Sequence, residues 1–162
     1  MIDGPLSALV LGAALGSGLI AGVFYAFSVI VMKALAALPP ARGIAAMQSV
    51  NVVVISPWFL GVFAGTGLLC AAIAVVALVT RPGTGAAVEL LLGCGLYLTG
   101  TVAVTARANV PRNGALAELD PEEPRSADRW RAYVASWTAW NHVRAGAALA
   151  ACAAFVLALA GR

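Results

Sequence analysis

The sequence predicts an all-α integral membrane protein. Its expected form is a four-helix bundle whose last helix runs on as a long cytoplasmic extension. Three observations predict this. Of 162 residues, 62% are hydrophobic and 10% are charged, and the mean hydropathy is +0.93. An average soluble domain is about 45–50% apolar and about 25% charged. Several apolar runs reach the roughly 20 residues that a helix needs to cross the hydrocarbon core. The four Trp and the basic residues gather at the ends of those runs, as membrane-interface anchors do. The same composition excludes disorder, which needs low hydrophobicity and high charge. A net charge of +3 is too weak to argue for nucleic acid. The length fits one domain, so residues 1–162 are expected to form a single transmembrane domain.

The spans come in order along the chain. The first, about 6–32, lies in the uncharged run from Gly4 to Met32. The second, about 57–79, starts at Ser56-Pro57, where serine is an N-cap and proline takes the first helical position. The third covers about 85–106, with Glu89 near its outer end, and the fourth about 137–159. Gly12 with Gly16, Gly18 with Gly22, and Gly61 with Gly65 form small-xxx-small ladders expected where helices touch. Cys70, Cys94 and Cys152 lie inside apolar runs and read as packing residues.

The loops set the direction. Lys33, Arg42, Arg107, Arg112, Arg125, Arg129 and Arg131 lie on the side of the first and third loops, and only Arg81 and Arg162 on the other. The positive-inside bias makes loops 33–56 and 107–136 cytoplasmic and puts both termini outside, in an inner membrane of bacterial type. Asp3 fits an exported end. Arg81-Pro-Gly-Thr-Gly is a turn.

The two inner loops carry the information. Leu38-Pro39-Pro40 breaks the first helix, and Ile44 to Val54 is expected to form a short helix with Met47 and Asn51 on one face. Such a helix either lies flat on the membrane or lines a site. In Asn109-Val-Pro111-Arg112-Asn113-Gly114, proline is expected to end the third helix and Asn-Gly to turn the chain. The acidic stretch from Glu118 to Asp128 reads as a solvated connector. A long helix then runs from Ser126 to Leu159, with Trp130, Tyr133, Trp137, Asn141 and Arg144 on one stripe.

Trp137-Thr-Ala-Trp140-Asn141-His142-Val-Arg144 is the most unusual segment. Its plain readings are an aromatic belt, a snorkelling arginine and a packed histidine. Yet ionisable groups at such depth are costly and usually face a protein interior or a wet cavity. Together with Asn51, Asn109 and Asn113 on the same membrane face, they point to a pocket. One near-neutral base, one fixed cation, several amides and several aromatic faces suit a flat aromatic or quinone-like guest.

Phe24-Tyr-Ala-Phe-Ser-Val-Ile-Val-Met32, Met47-Gln-Ser-Val-Asn51, Asn109-Val-Pro-Arg-Asn113 and the WxxWNHVR segment from Trp137 to Arg144 resemble the anthrone oxygenase-like membrane proteins. Most bacterial members of that family are known only as a domain of unknown function. The usual leucine of the NVPLN-like loop is Arg112 here. The resemblance implies a four-helix membrane protein. Its characterised relatives oxidise anthrones to anthraquinones in polyketide pathways with molecular oxygen, without metal or flavin. It thus implies no cofactor, and a small hydrophobic aromatic substrate and molecular oxygen as partners, met in membrane lipid.

In this reading His142 is the general base, and Arg144 with Asn141 stabilises the anion. Asn51, Asn109 and Asn113 orient the guest, and Trp137, Trp140 and Tyr25 line the slot. Two alternatives stay open. One is a non-catalytic binder of a lipid, quinone or polyketide. The other is an accessory subunit whose Asn141 and Arg144 face outward to a partner. The glycine ladders also fit a homo-oligomer.

Overall fold

The computed structural model describes residues 4–80 and 83–161. Four helices among them are long and apolar enough to cross a membrane: α1 (Pro5–Ala36), α3 (Pro57–Thr80), α4 (Gly85–Ala117) and α5 (Ser126–Ala160). A shorter helix, α2 (Pro40–Val53), joins α1 to α3. The all-helical, four-span expectation holds. Asp3, Arg81 and Arg162, which carry the expected exported end and outer charges, lie outside the described residues.

Local chemistry explains most boundaries. α1 stops before Pro39-Pro40, and Pro40 opens α2. Ser56 caps α3, its hydroxyl accepting the Phe59 N–H at 3.2 Å. One boundary differs from expectation. The third helix does not end at Pro111 but runs on to Ala117, and Asn113-Gly114 is helical. The reason lies just before the proline. Residues Thr105–Asn109 form wide π-helical turns, and Pro111 then stands near the start of a fresh α segment, where its missing N–H costs little. Arg112 Nη1 donates to the Ala108 carbonyl at 2.6 Å. Much of the expected second inner loop is therefore helix.

The rods pack where side chains are small, since lipid supplies no hydrophobic drive between them. A Cβ on Gly16 would stand 2.1 Å from Thr66 Oγ1, and one on Gly100 2.4 Å from Ala147 Cβ. The Gly61–Gly65 ladder is a correction: a Cβ at either position meets nothing, so no helix lies against it. Outside, Leu11, Leu15, Leu19, Leu68, Val75, Leu78, Leu149 and Leu157 are exposed, the apolar coat that a bilayer requires. Among the described residues, the interior holds two apolar clusters. One, around Ile20, Phe24, Ile73, Tyr97 and Phe155, fills the spans. The other joins Met32, Ile44, Met47, Leu116, Leu119, Trp130, Tyr133 and Trp137 beneath α2. Leu119 is thus buried within the stretch expected to be solvated. Gln48 ties α2 across this end, donating to the Leu116 and Leu119 carbonyls at 2.9 and 3.0 Å.

Candidate functional site

The predicted stripe of α5 faces the bundle interior. Trp130, Tyr133, Trp137, Asn141 and Arg144 are all buried, and Asn141 has no exposed surface. Asn141 Nδ2 donates to the Phe24 carbonyl and to Ser28 Oγ, both at 2.6 Å, which pins α5 to α1. Its Oδ1 accepts Arg144 Nη2 at 2.5 Å. Arg144 Nη1 donates to Thr105 Oγ1 at 3.2 Å. The guanidinium lies between two rings, 4.1 Å from the Phe24 centroid and 5.2 Å from that of Trp137. Desolvated cation–π contacts of this kind contribute about 2 kcal/mol. The two ion pairs among the described residues, Arg125–Glu123 and Arg131–Asp128, are both exposed and far along the chain from Arg144. The buried cation is therefore held by neutral groups alone.

The asparagines close one end of this chamber. Asn113 Oδ1 accepts both the Tyr133 hydroxyl at 3.0 Å and the Trp137 indole N–H at 2.8 Å. Asn109 is buried and its Nδ2 donates to the Trp137 carbonyl at 3.3 Å. Asn51, on α2, adjoins the Tyr133 phenol, which also lies within range of the Arg144 charge. Among the described residues, four buried side-chain polar atoms have no hydrogen-bond partner: Asn51 Nδ2, Asn109 Oδ1, Thr138 Oγ1 and Arg144 Nε.

Several partners of this stripe come from wide turns. Ser28 lies in π-helical Phe27–Val31 of α1, Thr101 in Leu96–Ala103 and Thr105 and Asn109 in Thr105–Asn109 of α4. A π turn carries an extra residue and rotates the helix beyond it, and such turns are frequent at functional sites. Here they bring hydroxyls and an amide onto α5. Sequence reasoning missed Ser28, Thr101 and Thr105 as members of the site. Ser28 stood inside the quoted Phe24–Met32 motif, and the threonines were the signal left in the third span.

His142 does not join this chamber. It is exposed, as are Tyr25 and Trp140, so the expectation of one shared hollow for amide, imidazole and guanidinium is not met. The physical reason is helical phase: neighbours in sequence point about 100° apart around a helix. Asn141 and Arg144, three apart, share a face; His142 takes another. Trp140 sits outside, with the Arg112 guanidinium 5.9 Å over its ring.

His142 and Tyr25 instead line a groove of about 460 Å³ between α1 and α5. Its walls are Gly18, Ala21, Gly22, Ala145, Gly146 and Leu149. The volume falls in the roughly 300–1,000 Å³ range of small-molecule sites. A Cβ on Gly22 or Gly146 would meet no neighbour, so the groove exists because those side chains are missing. It is apolar along its length, with an imidazole and a phenol on its walls. Structurally, such a groove can hold a flat hydrophobic guest and offer it a proton acceptor. The accessory-subunit alternative required Asn141 and Arg144 to face outward, and both face inward.

No curated protein and no solved structure matches the chain. The family model described as anthrone oxygenase matches residues 57–154, more than half of the sequence, and covers α3, α4 and most of α5. With four membrane-length helices and the polar stripe of α5 in place, the chain belongs to the anthrone oxygenase family.

Proposed function

We propose that this membrane protein oxidises a polycyclic, anthrone-type aromatic with molecular oxygen, and that the reaction takes place in the groove between α1 and α5. The observation that carries the reading is the groove itself: a slot of small-molecule size with His142 on its wall, outside the closed polar interior. A hydrophobic substrate and oxygen both dissolve in lipid and can enter it sideways.

The chemistry asks little of the protein. His142 takes a proton from the methylene carbon between the two aryl rings, opposite the carbonyl. The resulting delocalised carbanion is electron-rich enough to reduce oxygen directly. Over the whole reaction the methylene loses two hydrogens. One oxygen atom becomes the second ring carbonyl and the other leaves as water. Tyr25 offers a hydroxyl to the oxygen that gathers negative charge. Asn141 and Arg144, already bound to α1 and α4, hold the far side of α5 and so fix the groove's wall. In this reading both inner loops lie in the cytoplasm, which places the His142 end of the groove in the inner half of the membrane.

The test is anthrone-dependent oxygen uptake by the protein in detergent. His142→Ala is expected to lower turnover by about 10²–10⁴-fold, the usual contribution of a general base. Gly22→Leu, which fills the groove from a position with room, is expected to abolish uptake in a folded protein. Full turnover by either folded variant would remove the site. A second reading, a non-catalytic binder, uses the same groove, whose walls apart from Tyr25 and His142 are apolar. It predicts anthrone binding without oxygen consumption.

A further inference from the structure

The chamber on the opposite face of α5 poses a separate problem. Arg144 is 5% exposed, inside a helix of membrane-spanning length. Arginine keeps its charge in proteins. Its hydrogen-bond partners are an amide oxygen and a hydroxyl, and its two ring neighbours are neutral. None of the described carboxylates pairs with it. A lone charge in a dry interior is strongly unfavourable unless an opposite charge offsets it. A donor is also left over: Arg144 Nε is buried with no hydrogen-bond partner, and the Asn51 amide faces the Tyr133 phenol.

We propose that this chamber is an anion site, in which Arg144 and the asparagine donors around Tyr133 bind one monovalent anion. The shared chemistry is a single negative charge with lone pairs for Nε–H and an amide N–H. An inorganic halide supplies it, and so does the carboxylate or phenolate of a planar aromatic. The latter also meets the Trp137 ring, whose centroid lies 5.2 Å from the guanidinium. The site is independent of the groove and of any oxygen chemistry.

Trp137 makes it observable, because an iodide ion held at Arg144 lies against its ring and quenches its fluorescence. Iodide would be titrated against gluconate at constant ionic strength, with the protein in detergent. The expected result is a saturable loss approaching the emission of one of the four tryptophans. That component should be missing in Trp137→Phe and weakened at least tenfold in Asn51→Leu. Arg144→Gln should also lose it. If that variant fails to fold, the other two carry the test. Competition then identifies the source. Displacement by benzoate at far lower concentration than chloride points to an organic anion, and equal displacement points to a halide. Quenching that never saturates, or a saturable component that survives in folded Trp137→Phe, overturns the proposal. Either result leaves the groove reading untouched, since no oxygen uptake is measured.

Discussion

The two faces of α5 are built on opposite principles. Toward the interior, polar groups are crowded and tie helices together: Asn141 by itself bonds a backbone carbonyl, a hydroxyl and a guanidinium. Toward the α1 groove, His142 and Tyr25 are exposed beside glycines. One face spends its polar groups on holding helices together. The other keeps its imidazole free and leaves space beside it. A residue that must exchange protons with a guest belongs on the second kind of surface. A residue that must keep a helix from rotating belongs on the first.

Substitutions on the two faces should therefore part company. The largest expected effect is from Asn141→Leu. It removes both ties to α1 and strips Arg144 of an acceptor while leaving the charge buried, and such a break costs about 3–5 kcal/mol. The unfolding midpoint in detergent should fall sharply. Gly100→Val comes next. Its added carbon collides with Ala147 Cβ, 2.4 Å away, and overpacking of this kind costs about 1–3 kcal/mol. Asn113→Ala leaves the Tyr133 hydroxyl and Trp137 N–H without their acceptor, for a loss of about 1–2 kcal/mol. The smallest is Gly22→Leu on the groove face, with a change within about 0.5 kcal/mol. A large stability loss in Gly22→Leu, or none in Asn141→Leu, would erase the distinction between the two faces.

Much of the fold could be read from the residues, because hydropathy and length decide membrane spans with few competing signals. The inward stripe of α5 was also legible, since a 3.6-residue period needs no partner to be seen. Two things were not. WNHVR reads as one cluster along the chain, yet on a helix Asn141 and His142 diverge, and only the bundle decides which face is inside. Pro111 reads as a helix end, yet a wide turn before it lets the helix continue. The outward glycines show the same gap: Gly61 and Gly65 have the spacing of a contact ladder, and nothing lies against them.

The wide turns of α4 carry a consequence for how this chain tolerates insertions and deletions. Each holds one residue more than an ordinary turn, so the stretch acts like a screw thread with a deliberate slip. Removing one residue between Leu96 and Ala103 would relax the thread to regular pitch. Everything beyond would keep its place around the helix, because the residue lost is the one that the wide turn had absorbed. Thr105 would keep Arg144, Asn109 would keep Trp137, and Asn113 would stay with the two rings it serves. The loss of one codon, in a segment that touches neither His142 nor the groove, would leave that side of the interior seated.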